Sequence, residues 1–222
     1  VVALLFESAA PTGELQLFSL YYALSVGAGL VLRRARSNLA TRLDKQVETL
    51  WQRAVSDPLT GLLNRQGWLN LAGTAMAEAL RDGHMPAVLF IDVDHFKRTN
   101  DDHGHLAGDD LLRALGQIID ARIGPGEYSA RLGGEEFVAL LSYCEPEDAQ
   151  RFADRLRDTV GQQWVEVGDT VPPVQLTISV GLADSRTHGL DLNRLLARAD
   201  DALYSAKAAG RNATRVAQAR AA

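Results

Sequence analysis

The sequence predicts an α+β domain, with a central antiparallel-rich sheet surrounded by helices, preceded by an N-terminal helical segment. Strand-like and helix-like segments after residue 56 do not alternate strictly, which disfavours a doubly wound parallel sheet. Gly133-Gly134 separates two short strand-like runs and indicates a hairpin, because both glycines tolerate positive φ. Several amphipathic helices are available to cover the sheet.

The elements are expected in the order helix, strand, helix, hairpin, helix, strand and helix. Helices are expected where apolar residues recur every three or four positions, at residues 66–81, 106–123, 146–162 and 190–208. Strands are expected in short apolar or β-branched runs, at residues 87–94, 127–132, 135–141, 164–167, 175–183 and 211–216. Pro58 and Gly61 mark the start of this domain, and Gly210 ends its last long helix.

Composition excludes some classes of function. The chain of 222 residues has a net charge of -5, which argues against a nucleic-acid binder that works through a basic surface. Its single cysteine, Cys144, excludes an intrachain disulfide and has no partner at metal-site spacing. A reduced, partly buried thiol is expected there.

The N-terminal part differs in character from the rest. Residues 15–32 carry no charge and are just long enough to span a bilayer, and Arg33, Arg34 and Arg36 follow at once. We therefore expect residues 1–32 to hold one or more membrane-spanning segments, with the remaining chain in the cytoplasm at the inner membrane. A buried helix of a soluble sensor is the alternative. A signal peptide fits poorly, because its basic residues would precede the apolar run.

A polar helix over residues 33–56 is expected to link this segment to the α+β domain. Its sparse apolar seam has spacings of three and four, as in a short coiled coil, at Leu39, Leu43, Val47, Leu50 and Ala54. A solvated connector helix explains the pattern equally well. The α+β domain is expected over residues 57–217, with a tail at 218–222.

Two acidic clusters are candidates for chemistry. Asp92 and Asp94 end an apolar strand on one face, where paired carboxylates often hold Mg²⁺, although a solvated strand end is the simpler interpretation. Glu135 and Glu136 follow the two glycines and begin the return strand. Because adjacent strand residues face opposite sides, the two glutamates are not expected to share one ion symmetrically.

Two further clusters combine polar and basic residues. Asn100 and Asp109 have the donor and acceptor groups that guanine recognition needs, although Asp109 also suits a helix cap. The His103-x-His105 spacing raises zinc, which the nearby carboxylates disfavour. Lys207 and Arg211 lie four residues apart around a helix end. They suit either a phosphate clamp that includes Lys97 or ordinary cations near a helix C-terminus.

Six segments, taken together and in order, resemble the GGDEF family of diguanylate cyclases. They are DPLTGLLNR from Asp57, FIDVDHFKRTND from Phe90, GHLAGDDLL from Gly104, RLGGEEF from Arg131, TISVGLA from Thr177 and ADDALYSAKAAGRN from Ala199. The resemblance covers about residues 56–216, and several spaced motifs in order are far more specific than any one alone.

The resemblance implies a palm-like fold, similar to polymerase palms and nucleotide cyclases. It implies condensation of two GTP molecules into cyclic di-GMP and two pyrophosphates, with two Mg²⁺ ions per site and Mn²⁺ as an alternative. It assigns metal binding to Asp92, the carbonyl of Val93, and Glu135. Glu135 is favoured as the proton acceptor, with Glu136 as the competing choice.

The resemblance also assigns the substrate contacts. Guanine or ribose contacts fall to Asn100, His105 and Asp109. Backbone amides around His95 and Phe96 are expected to hold the triphosphate, together with Lys97, Lys207 and Arg211. Lys97 is counted with the two glutamates as catalytic.

Each domain of this family binds one GTP, so a homodimer is expected for catalysis, as the output module of a signalling protein. The inhibitory RxxD motif of many relatives is missing, because residues 124–127 read Gly-Pro-Gly-Glu. Weak or absent product inhibition is expected at that position. The alternatives are a receptor for GTP or cyclic di-GMP and a catalytically silent dimerisation module.

Overall fold

The computed structural model describes residues 12–168 and 172–219, without the side chains of 12–16, 44 and 47–49. The chain divides between Gln52 and Arg53 into two compact units. The expectations that fall on residues 1–11 and 220–222 lie outside the described residues.

The first unit belongs to helix α1 (Thr12–Val55), which joins the apolar run and the polar linker without a break. Its described apolar side chains are exposed, among them Leu17, Phe18, Leu39 and Leu43. In the part of the chain that the structure describes, no helix is both long and apolar enough to cross a membrane. Because the expected span begins at Leu15, within the undescribed side chains, membrane crossing stays a prediction.

The second unit confirms the α+β prediction. Its strands are β1 (Leu63–Asn64), β2 (Ala87–Val93), β3 (Tyr128–Gly133), β4 (Glu136–Leu141), β5 (Trp164–Val165), β6 (Val174–Gln175), β7 (Ile178–Asp184) and β8 (Thr214–Val216). Its helices are α2 (Arg65–Arg81), α3 (Phe96–His103), α4 (His105–Asp120), α5 (Pro146–Gln162), α6 (Ser185–His188) and α7 (Leu192–Ala208).

The main sheet has the order β1-β3-β4-β2-β7-β8, and β5 pairs separately with β6. The three central pairings, β3 with β4, β4 with β2 and β2 with β7, are antiparallel. The edge pairings, β1 with β3 and β7 with β8, are parallel. The sheet is therefore antiparallel-rich, as predicted. The parallel pairing at its two edges was not predicted, because β1 and β8 are too short for the sequence to show how they pair.

Helices cover both faces of the sheet, so β2 is buried along its whole length. Leu89 and Ile91 pack into one core cluster, which includes Leu112 of α4 and Leu156 of α5. The alternating residues of β2 pack into the other cluster, with Trp68 of α2 and Leu203 of α7. This two-sided burial holds the end of β2, where the acidic cluster lies, in a rigid frame.

Two elements differ from the prediction. Helix α3 was not predicted, because Phe96 is its only buried residue and a polar helix of eight residues has no apolar period. The strand predicted over residues 175–183 is divided into β6 and β7. The carbonyl of Thr177 accepts the amide of Asp94 at 2.9 Å, so Thr177 bonds to the segment after β2 between the two strands.

The predicted hairpin is present, but its turn is displaced by one residue. Gly133 pairs with Glu136, and the register shifts between Arg131 and Gly133, so Gly134 and Glu135 form the turn. Both glycines have positive φ, 147° and 54°. The prediction that Glu135 begins the return strand is therefore wrong, because the irregularity before Gly133 moves the start of β4 to Glu136.

Candidate nucleotide and metal site

Three segments meet beside the end of β2. The hairpin turn lies on one side, since the amide of Val93 donates to the carbonyl of Glu135 at 3.3 Å. The start of α3 follows Asp94 directly in the chain. The loop after α7 lies on the other side, since the amide of Asn212 donates to Asp94 at 2.9 Å. The fold thus brings together three of the clusters that the sequence marked.

Asp92 is the central acid of this site. Its side chain is 5% exposed, and its Oδ1 lies 2.8 Å from the Lys207 Nζ. Burial raises the pKa of Asp92, the charge of Asp94 adds to the rise, and Lys207 and Arg211 oppose it. Burial outweighs the two cations, so the pKa of Asp92 is raised overall. A further cation at this position would therefore stabilise the charged form of Asp92.

Glu135 reaches the same region from the hairpin turn. Burial and the charges of Asp92 and Glu136 raise the pKa of Glu135, and Lys207 lowers it. Glu136, one residue further, is the strand partner of Asp92 across β2 and β4. The two glutamates occupy different structural positions, one in a turn and one in a strand. Their separate roles therefore rest on the displaced turn rather than on simple strand alternation.

The donor set suits a hard divalent cation. Asp92 and Glu135 repel each other, and Val93 lies between Asp92 and Asp94 with its amide bonded to Glu135. Two carboxylates and a backbone carbonyl leave room for water and phosphate oxygens, as Mg²⁺ prefers. Among the described residues, no three His, Cys, Asp or Glu side chains converge as a metal cage. Substrate oxygens would have to complete the coordination.

Asp94 differs from Asp92 in its hydrogen-bond partners. Its carboxylate accepts hydrogen bonds from the Thr177 hydroxyl at 2.8 Å, the Ser179 hydroxyl at 2.7 Å and the Asn212 amide at 2.9 Å. Both oxygens of this carboxylate are therefore already engaged by donors within the protein. The interpretation of Asp92 and Asp94 as an equal metal-binding pair is therefore not supported by the geometry.

The start of α3 supplies backbone amides. His95 precedes the helix with φ of 58°, and no side chain caps the first turn. Free amides at a helix N-terminus attract anions. The side chain of Phe96 is buried, so this residue can meet a ligand only through its backbone. Lys97 is exposed next to it, in keeping with a mobile cation for phosphate.

The base-recognition residues come from the α3–α4 pair. Asn100 Oδ1 is buried and finds no hydrogen-bond partner within the described residues. This oxygen lies against Gly108, where a Cβ would be only 1.9 Å away. The side-chain carbonyl of Asn100 is thus left without a partner beside Gly108. Asp109 follows Gly108 and is half-buried, whereas His105 is exposed at the first position of α4.

The loop after α7 carries the remaining cation. Arg211 and Asn212 both have positive φ, 65° and 40°, a conformation that residues other than glycine seldom adopt. The Arg211 amide donates to the Ala206 carbonyl at 3.1 Å. Arg211 is exposed and close enough to lower the pKa of Asp92. Lys207 and Arg211 therefore both act on the acidic centre, beyond the role of cations at a helix C-terminus.

Sequence reasoning missed one element of the site. Arg131 donates twice to the carbonyl of Gly134 in the hairpin turn, at 2.8 and 2.9 Å, and also contacts Asp57 at 3.3 Å. Asp57 in turn accepts from the Thr60 amide and hydroxyl. These partners are 74 residues apart, so only the shared presence of Arg131 and Asp57 in the matched motifs pointed to them.

These features define a palm-like α+β domain in which two carboxylates and two cations meet at the end of β2. A family model described as "Diguanylate cyclase, GGDEF domain" matches residues 54–213. The chain belongs to the GGDEF family.

Curated relatives agree with this assignment. A probable diguanylate cyclase of Escherichia coli, DgcT, is 36% identical over 70% of this chain and 34% of its own length. The response regulator PleD of Caulobacter vibrioides is 35% identical over 82% of this chain and 39% of its own length. The chain thus spans only about a third of the length of these curated relatives.

Solved structures are also similar. The coiled coil and GGDEF domain of DgcB from Caulobacter crescentus, in complex with c-di-GMP, matches with a TM-score of 0.77 at 30% identity, covering 85% of this chain and 99% of that one. The diguanylate cyclase SiaD of Pseudomonas aeruginosa, in complex with its activator SiaC, matches with a TM-score of 0.70 at 30% identity, covering 97% and 82%.

Proposed function

We propose that this chain is a diguanylate cyclase module, which condenses two GTP molecules into cyclic di-GMP and releases two pyrophosphates. The observation that carries the proposal is the acidic centre. The charge of Asp92 raises the pKa of Glu135, and Lys207 and Arg211 supply positive charge beside Asp92. Metal-assisted transfer at an α-phosphorus needs this arrangement of acids and cations.

Each residue has a defined task in this scheme. Asp92, Glu135 and the Val93 carbonyl would hold Mg²⁺, with Mn²⁺ as a substitute, and the ion would supply charge neutralisation for the attacking and leaving oxygens. The free amides at the start of α3, with Lys97, Lys207 and Arg211, bind the triphosphate. Asn100 donates to the guanine O6, Asp109 accepts from its N–H groups, and His105 lies at the rim.

Glu135 is the favoured acceptor of the proton from the 3′-hydroxyl. Burial and two neighbouring carboxylates raise the pKa of Glu135, and a raised pKa makes a carboxylate a stronger base. Glu136 remains the competing acceptor, since it is the next residue and the strand partner of Asp92. Comparing product formation by Glu135→Gln and Glu136→Gln distinguishes the two assignments.

The direct test is incubation of the purified chain with GTP and Mg²⁺, with products identified by mass. Cyclic di-GMP and pyrophosphate in a ratio of one to two support the proposal. Binding of GTP without turnover would indicate a receptor instead. A dimeric sample that neither binds nor converts GTP would indicate a silent dimerisation module.

Catalysis requires two sites that face each other, so we propose that a homodimer is the active form. The seam of α1 supports this, because Leu39, Leu43 and Leu50 leave more than half of their surfaces exposed. Adding an equal amount of the Glu135→Gln chain should lower turnover per wild-type subunit to about half, since random pairing halves the wild-type dimers. Unchanged turnover would contradict a two-site reaction.

We further propose that the N-terminal segment attaches this output module to the cytoplasmic face of the inner membrane. The uncharged run and the arginines after it support attachment, and the exposed Leu20, Leu24 and Leu30 supply apolar surface. Fractionation of cells should recover the chain with membranes, and Leu20→Glu with Leu24→Glu should release it. Recovery of the wild-type chain in the soluble fraction would contradict attachment.

A further inference from the structure

Asp94 is a buried acid beside the site for which the proposed reaction has no task. Asp94 is only 6% exposed, and both of its carboxylate oxygens accept hydrogen bonds. Oδ1 accepts from the Ser179 hydroxyl, and Oδ2 accepts from the Thr177 hydroxyl and the Asn212 amide. Two of these donors belong to the sheet side of the site, and the third belongs to the loop after α7.

The loop that Asp94 holds has an unfavourable backbone conformation. Arg211 and Asn212 are consecutive residues in the left-handed region. Such a pair persists only where the surroundings over-determine it. The Asn212 amide is held by Asp94 at 2.9 Å, and the Asn212 carbonyl accepts from Arg157 Nη1 at 3.3 Å. The peptide groups of this turn are therefore clamped from two directions.

The clamped turn carries a cation of the proposed triphosphate site. Arg211 directly precedes Asn212, whose amide lies 2.9 Å from the Asp94 carboxylate, and Asp94 is two residues from Asp92, so Arg211 borders the acidic centre. Arg211 itself is exposed, and no hydrogen bond to its side chain is present in the described part of the chain. Its position must therefore come from its backbone, and Asp94 binds the amide that directly follows it.

We propose that Asp94 is a positioning residue that orients Arg211 toward the β- and γ-phosphates of the bound nucleotide by anchoring the Asn212 amide. This inference rests on the proposed function for the identity of the nucleotide. It assigns different tasks to two acids that look equivalent in sequence: Asp92 serves the metal, and Asp94 holds the turn.

The test compares affinities for a GTP analogue with an α,β-methylene bridge and for GMP, using the full chain at fixed Mg²⁺. Only the analogue carries the β- and γ-phosphates, so the ratio of the two affinities reports on the triphosphate contacts. Asp94→Asn should lower this ratio about tenfold, and Arg211→Ala should do the same, as expected for a lost charge-assisted contact. Affinity for GMP should change little in either variant.

A double variant distinguishes positioning from general structural damage. If Asp94 acts through Arg211, Asp94→Asn combined with Arg211→Ala should resemble Arg211→Ala alone, because coupled residues are not additive. Asp148→Asn is the matched control, since it makes the same change on the exposed side of α5, in an ion pair with Arg151. It should keep the wild-type ratio.

Folding is followed by near-ultraviolet circular dichroism. If Asp94→Asn fails to fold, Arg157→Met loosens the same turn from the carbonyl side and should lower the ratio by about threefold, as expected for one long hydrogen bond. A folded Asp94→Asn or Arg157→Met that keeps the wild-type ratio would overturn the inference. Full additivity with Arg211→Ala would also overturn it.

The test of the role of Asp94 and the test of cyclase activity can fail independently of each other. A wild-type chain that binds the analogue more tightly than GMP, yet forms no cyclic di-GMP from GTP, would refute cyclase activity and leave the role of Asp94 measurable. A wild-type chain with equal affinity for both nucleotides would overturn the inference itself.

Discussion

Arg131 and Asp57 form an ion pair at 3.3 Å in which both side chains are mostly buried, 14% and 17% exposed. Arg131 also binds the Gly134 carbonyl, so it connects the signature turn to the segment that follows α1. Asp57 is itself fixed by Thr60. The turn that carries Glu135 is therefore tied to the entry of the domain by side chains and does not depend on strand pairing alone.

Asp57→Asn should destabilise the domain at neutral pH by about 1–3 kcal/mol, the scale of hydrogen bonds to charged groups. Burial raises the pKa of Asp57, but the Thr60 hydrogen bonds and Arg131 outweigh it, so the pKa is lowered overall. This contribution is present above the unfolded value of 3.8 and is lost as the pH falls through the lower folded pKa. Urea unfolding of wild type and variant should therefore converge at strongly acidic pH.

The matched control for this prediction is Asp148→Asn, which breaks an exposed ion pair with Arg151. It should change stability by less than about 0.5 kcal/mol at every pH. An equal loss of unfolding free energy in both variants would show that the Arg131–Asp57 pair stabilises the domain no more than an exposed ion pair does.

Gly108→Ala should weaken recognition of guanine. The new methyl group would lie 1.9 Å from Asn100 Oδ1 and 3.1 Å from Phe96 Cζ, so Asn100 would have to move. We expect KM for GTP to rise about tenfold and preference for GTP over ATP to fall, because an Asn100 displaced from the base no longer penalises a nucleotide that would leave it unpaired. Steady-state kinetics with both nucleotides measures the effect.

Gly73→Ala provides the comparison for Gly108→Ala. It makes the same change within α2, where no described atom other than those of the local helix backbone lies within 4 Å of the added Cβ. Its kinetics should match wild type, and its stability should rise slightly, since alanine favours helix. Wild-type selectivity in Gly108→Ala would refute the proposed position of Asn100.

Glu135→Gln should abolish turnover but stabilise the metal-free domain. Burial and the charges of Asp92 and Glu136 raise the pKa of Glu135 above its ordinary value of 4.5. The unfolded chain therefore loses its proton at lower pH, and this group makes stability fall as pH rises from 4.5 through the raised folded value. In EDTA at pH 7, the Tm of Glu135→Gln should exceed that of wild type by about 1–3 °C.

The pH dependence supplies the check on this explanation. The Tm advantage of Glu135→Gln should shrink as the pH is lowered through 4.5, because below this value the wild-type group is protonated in both states. A variant that is less stable than wild type at pH 7 in EDTA would contradict the repulsion inferred between Glu135 and Asp92.

Product inhibition should be weak. Residues 124–127 lack the arginine of the RxxD motif, and Glu127 Oε2 is occupied by the Gly124 amide at 2.8 Å. Low micromolar cyclic di-GMP should leave initial rates unchanged at saturating GTP. A marked fall in rate that GTP does not reverse would show that another surface binds the product.

Local pattern predicted much of this fold. The buried strand β2 and helix α5 lie within one residue of their expected limits, because periodicity and turn residues are local signals. Helix α3 and the short strand β1 escaped prediction, since each is too short or too polar to show a period, whereas β8 lies within the strand expected over residues 211–216. The displaced hairpin turn escaped as well, because its register is set where Arg131 contacts both Gly134 and Asp57.

The sequence by itself determined the family, the α+β class and the acids and cations of the site, because these depend on residue types at short spacings. For Glu135 and Glu136, which strand alternation was expected to separate, the tertiary structure replaced alternation with a displaced turn, and it alone separated Asp92 from Asp94. Each of these acids is defined by partners that lie far away in the chain, namely Lys207 for Asp92 and Thr177, Ser179 and Asn212 for Asp94. Burial and hydrogen bonding, which decide whether a carboxylate is available to a metal, arise only when those segments pack together.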